Sequence, residues 1–155
     1  MKTKRVKLMN EHELVTILLV EDDPGHARLI EKNLRRGCVS NEIIFLDNGQ
    51  KAIDYLFKKG DYSKDAKPQP LLILLDLNLP VLDGYEVLKR IKEEESTKRI
   101  PVVVLTTTDN PHDISRCYEL GCNVYVTKPV EYEQFSEAIR QLGLFLAIIK
   151  IPDDE

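Results

Sequence analysis

Leu71-Leu72-Ile73-Leu74-Leu75-Asp76 is apolar at five successive positions and then ends on a carboxylate. A strand with one face in water alternates apolar and polar residues, whereas a strand apolar throughout is covered on both faces, as in a parallel sheet flanked by helices. Working outward, Val15-Thr16-Ile17-Leu18-Leu19-Val20, Ile43-Ile44-Phe45-Leu46 and Ile100-Pro101-Val102-Val103-Val104-Leu105 read the same way, and Val124-Tyr125-Val126 supplies a shorter fifth strand.

Helical signals fill the gaps. Asp23-Pro24 places a capping carboxylate before a proline at the first helical position; Ala27, Ile30 and Leu34 follow at helical spacing until the basic turn Arg35-Arg36 and Gly37. Ala52, Ile53, Leu56 and Phe57 mark a second helix, and Val87, Leu88 and Ile91 a third. Asn110-Pro111 opens a fourth by the same cap-and-proline logic, and a fifth is expected from about Glu131 to Leu146. Lys58 to Pro70, with Gly60, Pro68 and Pro70, reads as a long surface loop. Five strands alternating with five helices give a doubly wound α/β domain around a five-stranded parallel sheet, its right-handed crossovers placing helices on both faces.

Bulk properties agree with one globular domain. The 155 residues suffice for a single core, and 43% hydrophobic with 31% charged residues is ordinary globular composition. The expected division is a tail over 1–14, the domain over 15–147 and a C-terminal tail over 148–155. Net charge of −4 offers no footprint for nucleic acid, and the cationic patch Lys2, Lys4, Arg5, Lys7 falls in the tail. Cys38, Cys117 and Cys122 contain no CxxC pair and read as reduced thiols. No apolar run approaches the ~18 residues of a membrane span and no signal core opens the chain, so the expected location is cytoplasmic, off the membrane.

In open α/β sheets, functional groups gather beyond the carboxyl ends of the strands. The first strand ends in Glu21-Asp22-Asp23, the third in Asp76 with Asn78 just beyond, the fourth in Thr106-Thr107-Thr108 and the fifth in Thr127-Lys128-Pro129. Asp47, after the second strand, joins them only if the strand order allows. Clustered carboxylates repel, and a hard divalent cation such as Mg²⁺ relieves the repulsion. A central aspartate can act as nucleophile toward a phosphoryl donor, with metal and ammonium neutralising the transferring group. Singly, these residues have ordinary readings: a helix-capping acidic cluster, a loop aspartate, a strand-end hydroxyl, a solvated lysine. Their joint placement on the correct strand ends is the signal.

The sequence thereby resembles the response-regulator receiver family of two-component signalling from about residue 15 to 145. The resemblance rests on Leu18-Leu19-Val20-Glu21-Asp22, Leu74-Leu75-Asp76-Leu77-Asn78-Leu79-Pro80, Asp83-Gly84, Val104-Leu105-Thr106 and Tyr125-Val126-Thr127-Lys128-Pro129. It implies the flavodoxin-like strand order 2-1-3-4-5. It also implies Asp76 as phospho-acceptor, Glu21 and Asp22 as the acidic pair with Asp22 the more direct Mg²⁺ ligand, and Asn78 as donor of a backbone carbonyl to the metal. Thr106 and Lys128 would hold the phosphoryl oxygens. Tyr125 would be the aromatic switch whose ring follows the threonine, and Gly84 would shape a turn. The long 58–70 loop and the apolar residues Leu142, Leu144, Phe145, Leu146, Ile148, Ile149 and Ile151 are similar to single-domain regulators that partner bacterial phytochromes and related hybrid sensor kinases.

The expected function is therefore a single-domain response regulator, not an enzyme beyond its own phosphorylation and dephosphorylation. It would take a phosphoryl group from a sensor histidine kinase and signal by protein contact or by passing phosphate to a histidine phosphotransfer partner. An apolar C-terminus of this kind either folds back on its own domain or packs on a second subunit, and the expected arrangement is a two-fold dimer through the fourth helix, fifth strand and fifth helix. His12, His26 and His112 read as exposed residues without a phospho-site role. A phosphorylation-independent docking module is the alternative. A phosphatase of the haloacid-dehalogenase type would need an aspartate two residues after the nucleophile, where Asn78 stands. A flavodoxin-like cofactor binder would need a Ser/Thr-rich cradle after the first strand, where three acids stand.

Overall fold

The computed structural model describes residues 16–36, 39–64, 69–129 and 131–141. The expected alternation is realised as β1 (Thr16–Val20), α1 (Pro24–Arg36), β2 (Glu42–Leu46), α2 (Gly49–Leu56), β3 (Leu72–Asp76), α3 (Gly84–Glu93), β4 (Val102–Thr106), α4 (Pro111–Leu120), β5 (Val124–Thr127) and α5 (Tyr132–Gln141). The strands lie in the order β2-β1-β3-β4-β5, all pairs parallel. This is the expected doubly wound sheet. The basic patch at the N-terminus, His12, Cys38 and the apolar run beyond Gln141 lie outside the described residues, as does the expected end of α5 at Leu146.

Each strand alternates its side chains between two cores. Leu18, Val20, Ile73, Leu75, Val102 and Val104 point to one face, where Ala52, Ile53 and Leu56 of α2, Val87, Leu88 and Ile91 of α3, and Cys117 of α4 cover them. Ile17, Leu19, Leu72, Leu74, Val103 and Leu105 point to the other, against Ile30 and Leu34 of α1 and Phe135 and Ala138 of α5. The run that opened the reading, Leu72 to Leu75, is therefore inaccessible on both sides. Cys117 and Cys122 are free and buried, and burial pushes their thiols up to about 11 and about 12, so they remain protonated packing residues.

Helix starts follow the capping logic. Asp23 Oδ1 accepts the N–H groups of Gly25 (2.8 Å) and His26 (3.1 Å), and the His26 hydrogen bond holds the Asp23 carboxyl below its ordinary value. Asn110 Oδ1 accepts the His112 N–H at 2.8 Å ahead of Pro111. Within the expected 58–70 loop, Gly60–Tyr62 forms a 3₁₀ turn and the Tyr62 ring meets Tyr55 edge-on at 5.3 Å.

The loop from β3 to α3 departs most from a relaxed backbone. Leu82 N–H donates to Pro80 O at 2.8 Å, which folds Val81 into the left-handed region at φ 70. A β-branched residue there is a true outlier, and Val81 is 79% exposed, so no packing compensates it. Asparagine tolerates this conformation at smaller cost. Val81→Asn should stabilise the fold by about 0.5–1 kcal/mol, raising Tm by about 2–4 °C. A urea or thermal melt showing no gain, or a loss, would mean that the turn is not strained.

Candidate functional site

β3 is the central strand, and Asp76 is its last residue, opposite Leu105 of β4. Thr106 ends β4 and is paired with Thr127, so Lys128 emerges one residue past β5 beside it, its N–H donating to Thr106 O at 2.7 Å. On the other side, the Glu21 N–H donates to Leu46 O at 3.0 Å, fixing the end of β1 to β2. Four neighbouring strand ends thus bring together residues that are up to 107 positions apart in sequence.

Glu21, Asp22 and Asp76 each offer a carboxylate oxygen, all within 4.8 Å of one another. Glu21 and Asp76 are buried while Asp22 is exposed. Into this group comes the ammonium of Lys128, 7% exposed, hydrogen-bonded to Glu21 Oε1 and 3.3 Å from Asp76 Oδ2. Asp76 Oδ1 accepts the Asn78 N–H at 3.3 Å. Three carboxylates therefore face one ammonium. Such a crowd of hard oxygen donors, open on the Asp22 side, suits a small divalent cation.

Asp23, the third acid of the run, is turned away as the cap of α1, although its N–H donates to Glu21 Oε2 at 3.1 Å. Asp47 does reach the same edge because β2 adjoins β1, but its carboxylate is paired with Lys51 at 2.9 Å.

Thr106 is completely buried, and its hydroxyl meets no hydrogen-bond partner among the described residues. Tyr125 is half-buried, its hydroxyl donating to Thr108 O at 2.7 Å, and burial pushes the phenol up to about 12. It is not the free surface tyrosine that a strand position alone would suggest.

Gly84 needs correcting from a turn residue to a residue of close approach. It is the first residue of α3, and a Cβ there would lie 2.3 Å from Asp76 O and 2.5 Å from Leu77 Cα. Asp83 caps that helix, accepting the Glu86 N–H at 3.0 Å. The sequence reading did not single out Gly49, where a Cβ would stand 1.8 Å from Leu82 O; the adjoining Asn48, which caps α2, was the available signal. His26 was read as merely exposed, yet its Nδ1 lies 3.2 Å from Lys128 Nζ. Nothing local to Pro24-Gly25-His26 announces a contact 102 residues away.

The family described as "Response regulator receiver domain" matches residues 17–140. The chain belongs to this family. The receiver is 42% identical over 137 residues to the response regulator Rcp1 of Synechocystis sp., covering 88% of this chain and 92% of that one. Among solved structures it is similar to the bacteriophytochrome response regulator RtBRR, at 43% identity and TM-score 0.80, covering 90% of this chain and 84% of that chain. The Mn(2+)-bound form of Rcp1 superposes with TM-score 0.72 at 40% identity, covering 90% and 99% of the two chains. The phosphorylated cyanobacterial phytochrome response regulator RcpA does so with TM-score 0.71 at 41% identity, covering 84% and 92%. This receiver is accordingly a response regulator of two-component signalling. No helix among its described residues is long and apolar enough to cross a membrane.

The orphaned Thr106 hydroxyl makes a stability prediction independent of any activity. A buried hydroxyl without a partner is destabilising, and an isosteric apolar group removes that cost. Thr106→Val should raise stability by about 1 kcal/mol, read as a higher urea midpoint at unchanged m-value. A clear loss of stability would show that the hydroxyl is bonded in the folded protein.

Proposed function

We propose that this receiver accepts a phosphoryl group from a sensor histidine kinase onto Asp76, with Mg²⁺, and signals by changing conformation and partner contacts. The observation that carries the reading is the setting of Asp76. It is a buried carboxylate at the end of the central strand, with an ammonium 3.3 Å from one oxygen and two further carboxylates within 4.8 Å. The phosphorylated state printed for RcpA and the bound Mn²⁺ printed for Rcp1 support it by likeness.

In this reading Glu21, Asp22 and Asp76, with the backbone carbonyl of Asn78, hold the cation. Bound there, Mg²⁺ neutralises carboxylate and phosphoryl charge and favours an in-line approach of the donor. An Asp76 oxygen forms the new P–O bond while the donor's P–N bond breaks, and the imidazole leaves with the electron pair. Lys128 supplies a fixed positive charge to the phosphoryl oxygens.

Thr106 donates its unpaired hydroxyl to one of those oxygens. The energetic effect of that bond is large because the hydroxyl gives up no earlier partner. A shift of Thr106 is passed to the loop where the Thr108 carbonyl anchors Tyr125, so that the ring is released to a second position. The names of RtBRR and RcpA favour a phytochrome-like kinase as donor. A histidine phosphotransfer protein as acceptor, a dimer through α4, β5 and α5 with the apolar C-terminus, and a cytoplasmic setting complete the proposal.

The test is intact-mass analysis after incubation with acetyl phosphate or phosphoramidate, with and without Mg²⁺. One acid-stable, base-labile phosphoryl group is expected, absent when Mg²⁺ is chelated and absent in Asp76→Asn. Uptake that survives Asp76→Asn, or no uptake from either donor or from a phytochrome-like kinase, would leave the docking-module reading in its place.

A further inference from the structure

His26 is the third residue of α1, and its backbone N–H is held by the Asp23 cap at 3.1 Å. Its side chain is 46% exposed, yet the ring leans over the site. Nδ1 lies 3.2 Å from Lys128 Nζ and 3.8 Å from Glu21 Oε1. Nε2 lies 4.0 Å from Asp23 Oδ2.

A lysine ammonium carries three N–H donors and no acceptor. Around Lys128 Nζ stand three acceptors: Glu21 Oε1, Asp76 Oδ2 and His26 Nδ1. The tautomer that accepts from the ammonium has Nδ1 bare and its proton on Nε2, on the side of Asp23. Two of the three partners are carboxylates that the proposed chemistry draws elsewhere, Glu21 toward the cation and Asp76 toward phosphorus. The imidazole is the one partner with no other task. Being uncharged in this tautomer, it orients the ammonium without cancelling the charge that the phosphoryl oxygens require.

We propose that His26 is a positioning residue for phosphoryl transfer, its Nδ1 holding the Lys128 ammonium over Asp76 while the carboxylates exchange partners. The inference rests on the reading of Asp76 as acceptor. With acetyl phosphate, Asp76 forms a P–O bond as the bond from phosphorus to the acetate oxygen breaks. Acetate leaves with the electron pair, and no proton passes through His26.

A competing role is contact with the donor protein, because His26, Leu29, Ile30, Thr107, Lys128 and Pro129 line a cleft of about 210 Å³ beside the site. A small donor separates the two roles. With the full chain, saturating Mg²⁺ and acetyl phosphate, His26→Ala should slow phosphorylation about five- to tenfold, the scale of one half-exposed hydrogen bond. Magnesium affinity by calorimetry should hardly move. His26→Asn, whose amide oxygen reaches the Nδ1 position, should recover the rate to within about twofold of wild type. In a Lys128→Ala background the His26→Ala change should have no further effect, since both remove one interaction.

A wild-type rate in His26→Ala with acetyl phosphate would overturn the inference, and a defect confined to a phosphohistidine donor would assign the residue to donor contact instead. Failure of His26→Asn to recover, or rate losses that multiply with Lys128→Ala, would equally overturn it. All these outcomes leave Asp76 as acceptor. Wild-type protein that takes up no phosphoryl group from any donor would remove the Asp76 reading and this inference together.

Discussion

Three carboxylates within 4.8 Å of one another repel, and among the described residues the counter-charge bonded into the group is one nearly buried ammonium. Lys128 reaches it from the far end of the sequence because β5 lies beside β4 and β4 beside β3. The strand order is therefore an electrostatic requirement as well as a packing solution. Any arrangement that separated the ends of β1, β3 and β5 would leave Glu21 and Asp76 buried without a cation, which is far costlier than an exposed acid. The apolar runs serve the same end, since β1, β3 and β4 are buried on both faces and such close-packed strands hold the strand-end groups in place.

Polar strain is concentrated where the apolar layers stop. Val81 in a left-handed conformation and the missing side chain at Gly84 against the Asp76 backbone lie in the loop that follows β3, and the unpartnered Thr106 hydroxyl lies on the last residue of β4. None of them stabilises the fold. Each is tolerated because the layers beneath them, from Leu72 to Leu75 and Val102 to Leu105, are almost wholly removed from water. Local cost above a well-packed sheet is the usual sign of a site selected for what it binds.

The fold was legible because its evidence is repetitive and local: five apolar runs, cap-and-proline starts at Asp23-Pro24 and Asn110-Pro111, and a period that never conflicts with its neighbours. The grouping of Glu21, Asp22, Asp76, Thr106 and Lys128 at one sheet edge was legible for a topological reason, since each ends or follows a strand and strand ends in such sheets converge. What remained hidden were relations that depend on the third dimension. Gly84 looked like a turn because close backbone approach leaves no mark in one sequence. Asp47 could be placed only once β2 was known to adjoin β1, and only the coordinates show that Lys51 neutralises it. His26 gives no signal because a histidine in a first helical turn is ordinarily solvated, and its partner Lys128 lies just beyond the last strand in the sequence.

The loop from β4 to α4 is held by polar contacts rather than by apolar packing. Above Thr106 it is held by separate polar contacts from β5, α4 and, through α4, α3. Tyr125 donates to the Thr108 carbonyl, the Thr108 hydroxyl meets Asp113 at 3.4 Å, and burial, with the Asp113 charge nearby, pushes the Tyr85 phenol up to about 12. Arg116 in turn stacks on the Tyr85 ring, 3.9 Å from its centre. Beneath the loop, Val104, Leu105 and Cys117 are close-packed and fully buried, and such packing resists small displacements. A new bond to the Thr106 hydroxyl cannot be absorbed downward into that core. It must be absorbed by the polar contacts above, each of which is individually weak and exchangeable with water. Under the proposed function, one hydrogen bond formed at the strand end would match in free energy the bond that holds the Tyr125 hydroxyl, and that balance would carry an event at Asp76 to Tyr125 on β5.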